Sequence, residues 1–301
     1  MRFPFSGVLP VDKPAGVSSR RVVDAVAKAL AMRAVGHAGT LDPIAAGVVV
    51  VCVGHATKLV DFLHTLPKRY VGHFLLGRSS PSDDTELPVV LEESPVQPTR
   101  EQLEAAVAAL RGPIMQRPCT FSAVHVDGKR AYDLARRGRD VQLQPKEVTI
   151  HRLEVLAYAW PRLILEVECS TGTYIRAIGR DLAEALGTRG VMDGLSRKAV
   201  GPFEQEDALP LDRLLANDAG TVTAASLRPA SAAVSYLPAA TLNTELVEHI
   251  SRGGILPPAV VPANASHQDA VAAFDQHGVL VGILRPHRSG WRVRPNFVGL
   301  S

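Results

Sequence analysis

The sequence has few cysteines and lacks long apolar runs. Its three cysteines, Cys52, Cys119 and Cys169, are far apart and lie in apolar or strand-like segments, which favours neither a disulfide framework nor a zinc site. The longest wholly apolar run, Val48 to Val53, is much shorter than the roughly 20 residues that cross a bilayer. The N-terminus has no signal-peptide pattern. We therefore expect a cytoplasmic protein without a metal site or membrane contact.

The charge of the chain is almost balanced. Lys and Arg number 33 against 30 for Asp and Glu, which gives a net charge of +3 and a pI near 8.8. This surplus does not by itself indicate a nucleic-acid-binding protein, so any RNA site must arise from local clusters of cations. The 301 residues, 46% of them apolar, suffice for one large core and a smaller second one.

Strands and helices follow each other without the regular rhythm of a doubly wound sheet. Patterns with one apolar face predict helices at 22–30, 56–63, 103–110, 131–137 and 175–186. Alternating or continuous apolar runs predict strands at 7–11, 48–53, 70–76 and 163–169. Thr99 and Gln102 form a capping box, and Asp127-Gly128 predicts a tight hairpin. The order favours an α+β fold with a mixed, largely antiparallel sheet flanked by helices.

The last third of the chain differs in composition. The stretch 216–235 is rich in Ala, Thr, Ser and Asp and has little periodicity, so we interpret it as a linker with some helix. Beyond it, residues 236–301 contain short apolar runs broken by Gly, Pro and Asn, which suits a small β-barrel. We predict a larger domain over 1–235, linker included, and a second domain over 236–301.

The densest chemical signal is the turn Gly36 to Pro43, which contains Asp42 and precedes the buried strand. Its glycines allow a tight turn, and Pro43 restricts the exit. Asp42 is therefore predicted to sit between rigid flanks. From the local composition alone, Asp42 is as well explained as a residue that only closes the turn as it is as a catalytic residue, because an aspartate before proline often closes a turn.

Four motifs in order resemble those of the TruB-type tRNA pseudouridine synthases. Residues 36–43 are similar to the family's Gly-His-x-Gly-Thr-Leu-Asp-Pro signature, 12–19 to its N-terminal motif, 68–70 to its second and 172–176 to its third. The resemblance covers roughly residues 7–215. It implies the pseudouridine synthase fold and isomerisation, without a cofactor, of uridine 55 in the T-arm of tRNA. The last segment resembles the PUA-type RNA-binding barrel that is often fused to these enzymes.

The resemblance also implies a role for particular residues. By that likeness Asp42 is the nucleophile, Tyr70 packs on the target base, Arg176 pairs with Asp42, and His37 helps to hold the base out of the stack. Asp84 aligns with the acidic member of the family's Asp- and Thr-rich loop. The remaining expected substrate contacts are Tyr174, Leu195, Lys58, Lys129 and Arg130.

The chemistry requires these residue types. Isomerisation breaks the N1 glycosidic bond and rejoins the base through C5, which needs an ionised carboxylate near the sugar and the uracil. Arg176 would oppose the pKa rise that burial causes in a carboxylate, and its planar guanidinium would fix the orientation of that group. Tyr70 offers a stacking face and a hydroxyl able to relay a proton.

Each of these side chains also has a purely structural interpretation. Tyr70 could pack in the core, and His37 could be a turn residue. Arg176 could form a plain salt bridge at a helix start, although a cation there opposes the helix dipole and so favours a specific anionic partner. Lys129 and Arg130 lie in a basic hairpin that could contact phosphates, but charged runs of this kind are more often only solvated.

The chain departs from the family pattern at three positions. Phe121 and His125 stand where the family usually has tyrosine and lysine, so a hydroxyl and a fixed cation are lost near the pocket. Leu87 replaces an expected glycine in the acidic loop. These departures concern the pocket's surroundings, and they leave the aspartate, tyrosine and arginine in place.

Three other functions could use parts of these motifs. A glycoside hydrolase would also place an aspartate near an anomeric carbon, but it needs a second carboxylate that these motifs lack. A non-catalytic tRNA-binding or folding module would not need Asp42, Tyr70 and Arg176 together. A related synthase could act on another RNA; a guide-dependent one would rely on partner proteins and commonly has basic tails, which this sequence lacks. We expect no obligatory protein partner.

Overall fold

The computed structural model describes residues 3–122, 125–126, 129–130, 132, 143–216, 223–263, 265 and 270–299. The α-helices in this part of the chain are α1 (Ser19–Ala29), α2 (Val60–Thr65), α3 (Arg100–Ala109), α4 (Ile175–Ala185), α5 (Leu211–Leu215) and α6 (Thr244–Ser251). Short 3-10 helices cover Gly54–Leu59, Ala224–Ser226, Ala230–Val234 and Pro258–Val260. Of the helix predicted over 131–137, only Tyr132 is among the described residues.

The strands divide between the part of the chain before residue 216 and the part after residue 235. The first group is β1 (Gly7–Lys13), β2 (Val35–His37), β3 (Ala45–Val53), β4 (Lys68–Leu76), β5 (Arg78–Ser79), β6 (Val90–Leu91), β7 (Gly112–Gln116), β8 (His125–Val126), β9 (Lys129–Arg130), β10 (Lys146–Ala159), β11 (Arg162–Cys169), β12 (Gly190–Val200), β13 (Phe203–Glu204) and β14 (Leu209–Pro210). The second group is β15 (Ala239–Thr241), β16 (Val271–Phe274), β17 (Leu280–His287) and β18 (Gly290–Asn296).

One large sheet organises the first group. Its described strands follow the order β14-β1-β3-β12-β4-β11-β10-β7, with β13 beside β12 and β2 beside β3. The pairs β1–β14 and β3–β12 are parallel, whereas the other neighbours are antiparallel. The predicted α+β fold with a mixed, largely antiparallel sheet flanked by helices is therefore confirmed.

The strand β3 is covered on both faces, as its unbroken apolar run predicts. Val48, Val50 and Cys52 pack in a core with the helical segment that follows the strand. Val49 and Val51 face the other way, into a core that includes α1. Because alternate side chains of a strand point to opposite faces, only a strand buried on both sides can be apolar throughout.

Helix and hairpin signals in the sequence are reproduced locally. The Thr99 side chain accepts from the backbone of Gln102 at 3.2 Å, and the Gln102 side chain accepts from the backbone N–H of Thr99 at 2.8 Å. The helix α1 begins after Ser18, whose side chain accepts from the N–H of Arg21. Strands β8 and β9 pair antiparallel; the two residues predicted to form their turn, 127–128, lie outside the described residues.

The segment interpreted as a linker is packed in its described part. Val8 and Arg228 exchange two backbone hydrogen bonds, at 2.9 and 2.8 Å, and Ala233 and Val234 are buried in the core that contains α2. The segment is thus packed where the sequence indicated a linker. Its small residues show no helical or strand periodicity, and yet they fill space between larger elements.

The C-terminal segment has its own sheet and shares a core with the rest. Strands β15 to β18 form a four-stranded sheet in sequence order, with α6 against it. Its other face, which includes Ile283 and Phe297, joins the core of Phe62 and Leu63 from α2. The guanidinium of Arg285 lies 4.7 Å from the centre of the Phe62 ring. The two parts therefore pack against each other through buried apolar surface.

Candidate active site

A cleft of about 1150 Å³ opens between the turn 39–43, the strand β4 and the start of α4. It brings together segments that are far apart in sequence. Its walls include five of the residues predicted for the site, namely Asp42, Tyr70, Tyr174, Arg176 and Leu195. A cleft of this size exceeds one nucleoside and is lined by both apolar and polar groups, which is typical of a substrate site.

The turn that carries Asp42 is fixed through its backbone. Leu41 donates its N–H to the Ser19 hydroxyl at 2.8 Å, and that hydroxyl donates back to the Leu41 carbonyl at 3.0 Å. The Pro43 carbonyl accepts from Gly16 at 2.7 Å. The Asp42 side chain nevertheless stays 44% exposed. The carboxylate is thus held in place and still accessible from the cleft.

Arg176 is buried and contacts Asp42. Its Nη2 lies 3.3 Å from Oδ2 of Asp42, and its Nη1 lies 3.1 Å from Oδ2 of Asp84. The same two nitrogens donate to the carbonyls of Ser82 at 3.0 Å and Phe121 at 3.1 Å. Contacts with Asp84 and two backbone carbonyls therefore hold the guanidinium in place beside Asp42.

Asp84 supports this arrangement from behind the cleft. Its side chain is only 1% exposed; the carboxylate accepts from the backbone of Glu86 at 3.0 Å and from the Ser82 hydroxyl. Charge-assisted hydrogen bonds of this kind are stronger than neutral ones. Leu87, which replaces the expected glycine, leaves the loop able to bind Arg176. Phe121 contacts Arg176 through its backbone carbonyl, so this contact does not need the hydroxyl of a tyrosine at position 121.

Tyr70 forms part of the cleft wall and also packs against the two cores beside it. Burial raises the pKa of its hydroxyl, while the charge of Arg197 and a hydrogen bond with that residue act in the opposite direction. The ring thus packs in the core, as one interpretation of the sequence had it, and also lines the cleft. Its stacking on a base stays a prediction.

The sequence reasoning missed Arg197, which lies at the centre of the site's electrostatics. Its side chain is almost fully buried and donates to the carbonyls of Val48 at 2.7 Å, Gly39 at 3.2 Å and Thr40 at 3.3 Å. It lies on β12, a central strand that no apolar pattern indicated. The sequence offered one indirect signal for a close neighbour, the glycine at position 47 before the buried strand. In the structure a Cβ added to Gly47 would lie 2.2 Å from the carbonyl oxygen of Arg197.

Two lysines with unusual environments flank the cleft. Burial, and then the charge of Arg197, lower the pKa of Lys68 to about 8. Lys13 is fully buried; burial and Arg197 lower its pKa to about 8 as well, although Asp42 opposes the shift. Three backbone carbonyls, one of them from Val17 at 2.7 Å, accept from the Lys13 amine.

The remaining predicted residues lie elsewhere or are only partly described. His37 lies on β2, and burial followed by the charge of Arg197 lowers its pKa, which favours a neutral ring. Lys58 is exposed, with its amine 6.0 Å from the centre of the Phe297 ring. Neither residue lines the cleft. Lys129 and Arg130 form β9, and their side chains are outside the described part of the structure.

No group of three or more His, Cys, Asp or Glu side chains in the described ranges could hold a metal ion. Among the helices in the described part of the chain, none combines the length and the apolarity needed to cross a membrane.

Comparison with known proteins agrees with this geometry. The family described as TruB family pseudouridylate synthase (N terminal domain) matches residues 27–175. A tRNA pseudouridine synthase B from Ruegeria pomeroyi is 40% identical over 282 residues, which cover 93% of this chain and 92% of the relative. One from Rhodococcus jostii is 41% identical over 285 residues, which cover 93% and 90%.

Solved structures share the fold at lower identity. A chain in an H/ACA RNP bound to a substrate RNA containing 2′-deoxyuridine is 22% identical, with a TM-score of 0.75 over 98% of this chain and 86% of the other. A chain in a Cbf5-Nop10-Gar1 complex is 24% identical, with a TM-score of 0.74 over 95% and 83%. These likenesses concern the fold alone. The sequence matches over nine-tenths of the chain carry the assignment: this chain belongs to the TruB family of pseudouridylate synthases.

Proposed function

We propose that this chain isomerises uridine to pseudouridine in the T-loop of tRNA, at position 55, with Asp42 as the nucleophile and with neither a cofactor nor a metal. The observation that carries this proposal is the pairing of an accessible Asp42 with a buried Arg176 inside the cleft. The relatives' name, tRNA pseudouridine synthase B, supports tRNA as the substrate.

The reaction balances within the nucleotide. The bond between N1 and C1′ breaks, a bond between C5 and C1′ forms, and one proton leaves C5 while another is added at N1. The Asp42 carboxylate assists the break and the reattachment at the sugar or base. Arg176 orients that carboxylate through a charge-assisted contact.

The target uridine must leave the stack to reach Asp42, since the cleft lies inside the fold. Flipping costs a few kcal/mol, which stacking on a side chain in the pocket offsets in part. We assign the stacking to Tyr70, with Leu195 and Tyr174 as further walls of the base pocket. The Tyr70 hydroxyl faces the same space and relays a proton.

The C-terminal segment 236–301 is proposed to bind the tRNA outside the T-arm, as a PUA-like domain. Its support is an exposed set of cations on that segment, namely Arg252, Arg285, Arg288 and Arg294. A tRNA substrate places the activity in the cytoplasm, and the purified chain is expected to act without a partner protein.

The test is incubation of the purified protein with a T-arm stem-loop transcript, followed by mapping of pseudouridine. We expect product at the T-loop uridine and none in a matched transcript that carries cytidine there. The Asp42→Asn protein serves as the inactive control. Tight binding without product would instead favour a non-catalytic tRNA-binding module, and product at another site would favour a related synthase with a different RNA substrate.

A further inference from the structure

Arg197 is a buried cation without an ion pair in the described part of the chain. Its side chain is 2% exposed, and the salt bridges found among the described residues do not include it. A buried charge is costly unless hydrogen bonds satisfy it. The guanidinium therefore needs its neighbours' oxygen atoms, and two of these belong to the turn that carries Asp42.

The first set of oxygens lies in the turn that carries Asp42. The carbonyls of Gly39 and Thr40 accept from Nη2 and Nη1 of Arg197, and the Val48 carbonyl in β3 accepts from Nε. One rigid group thus ties the turn to the strand that follows it. The arginine is held close by the register of β12 and β3, in which Arg197 lies beside Gly47.

The second contact is with the Tyr70 hydroxyl. Arg197 and Tyr70 are directly paired in the register of β12 and β4, and both line the cleft. The charge of Arg197 and its hydrogen-bonding capacity act to lower the pKa of Tyr70, against the larger effect of burial. The other titratable groups that feel this guanidinium are Lys13 on β1, His37 on β2 and Lys68 on β4. The positive charge of Arg197 disfavours the protonated form of each of them, whereas it favours the ionised form of Tyr70.

We propose that Arg197 is a positioning residue for the isomerisation, which fixes the Asp42 turn and the Tyr70 hydroxyl to each other through one guanidinium. The proposal rests on the proposed function, because it assumes that carboxylate and phenol act on the same nucleotide. A shift of about 1 Å between two such groups can cost roughly 100-fold in rate. No side chain other than arginine has donors arranged to reach three carbonyls and a hydroxyl.

The deciding measurement is the pKa of Tyr70 in Arg197→Lys and Arg197→Met. Uniform replacement of tyrosine by 3,5-difluorotyrosine, a more acidic phenol, brings the titration into a range where the protein stays folded, and fluorine NMR follows each ring. The Tyr70 signal is assigned with Tyr70→Phe. Tyr158, whose pKa is raised by burial and whose hydroxyl donates to the Pro98 carbonyl, is the internal control.

The two explanations predict opposite signs. If Arg197 acts on Tyr70 through charge and a hydrogen bond, its loss by Arg197→Met raises the pKa of Tyr70 further, and Tyr158 does not change. If the arginine only stabilises the fold, the variant loosens, water reaches the ring, and the pKa of Tyr70 falls towards its ordinary value. A fall, or no change, in a protein with intact circular dichroism overturns the proposal.

Kinetics supply a second readout. We expect Arg197→Lys to lose about 10- to 100-fold in single-turnover rate, while affinity for the T-arm stem-loop changes less than about threefold. Arg111→Lys is the matched control, because Arg111 also grips a backbone carbonyl, that of Leu153, outside the cleft. A normal rate in Arg197→Lys would contradict the proposal. If the wild-type protein made no pseudouridine, the proposed function would fail and the titration would still report on Arg197.

Discussion

Asp42 and Asp84 share one guanidinium. They contact different nitrogens of Arg176, at 3.3 and 3.1 Å, and their exposures differ widely, 44% against 1%. The buried carboxylate compensates the charge of the arginine, so the exposed one is oriented without having to neutralise a buried cation alone. The site thus separates the carboxylate that supports Arg176 from the one that we propose as the nucleophile.

Replacing Asp42 by asparagine should remove turnover and leave the fold intact. The two side chains have the same shape, and an amide is a poor nucleophile. We expect single-turnover rates to fall by at least about 1,000-fold, with stem-loop affinity unchanged within about threefold. Pseudouridine mapping and filter binding on the same preparation measure both quantities. Turnover well above that limit would remove Asp42 from the role of nucleophile.

Arg176→Lys should bind RNA and react slowly. A lysine amine reaches one carboxylate as a point charge, whereas the guanidinium spans Asp42, Asp84 and two carbonyls. We expect a loss of about 10- to 100-fold in single-turnover rate. Arg189→Lys, an exposed arginine beside Glu184, is the matched control. Equal rates for the wild type and Arg176→Lys would mean that the two-carboxylate arrangement does not matter for chemistry.

Two substitutions of Tyr70 separate stacking from proton transfer. Tyr70→Leu should lose stacking, with a cost of roughly 1 to 3 kcal/mol in binding of the flipped base. Tyr70→Phe should keep that binding and stall after the base is detached, if the hydroxyl relays the proton. Stopped-flow binding with 2-aminopurine beside the target, together with single-turnover mapping, distinguishes them. If Phe and Tyr react equally fast, only the stacking role remains.

The buried Lys13 should give a distinctive pH dependence of stability. Its pKa is about 8 in the folded protein and about 10.5 when unperturbed, so between these values the unfolded state binds more protons and stability rises with pH. Relative to Lys13→Met, the wild type should gain about 2 kcal/mol from about pH 7.5 to pH 10. Urea unfolding of both proteins at the two pH values measures this, and a constant difference would mean that Lys13 titrates normally.

The C-terminal cations are best tested by neutralisation. Deletion of residues 236–301 would expose the core that Phe62 and Ile283 share, so a truncated chain would report on folding as well as on binding. The triple variant Arg252→Gln, Arg288→Gln, Arg294→Gln should weaken binding of full tRNA and flatten the log-log salt slope by roughly 0.7 to 0.9 per lost phosphate contact. A T-arm stem-loop should be affected less. Unchanged slopes on full tRNA would show that this segment does not contact the RNA.

Local signals in the sequence predicted local structure well. The capping box at Thr99 and the run Val48 to Val53 needed only neighbours along the chain to determine their conformation. The strand β12 was missed because bulges between Met192 and Gly194, and between Arg197 and Ala199, shift its alternation. A bulge depends on how a strand pairs with its neighbour, so the residues along the strand itself do not predict it.

The site was predicted in the same uneven way. The turn of Asp42 and the helix start at Arg176 carry motifs, and the structure brings them within contact distance. Arg197 carries no motif of its own, because its partners are carbonyls 149 to 158 residues away in the chain. Contacts of that range follow from strand order, which composition and periodicity do not determine.

The hydrogen bonds from Arg197 to backbone carbonyls affect which substitutions the protein can tolerate. Every amino acid has a backbone carbonyl, so the contact of Arg197 with residue 40 does not depend on the side chain at that position. Substitution of Gly47 is excluded, because any side chain there would clash with the backbone of Arg197. We therefore expect laboratory selection to retain this glycine, although it does not line the cleft.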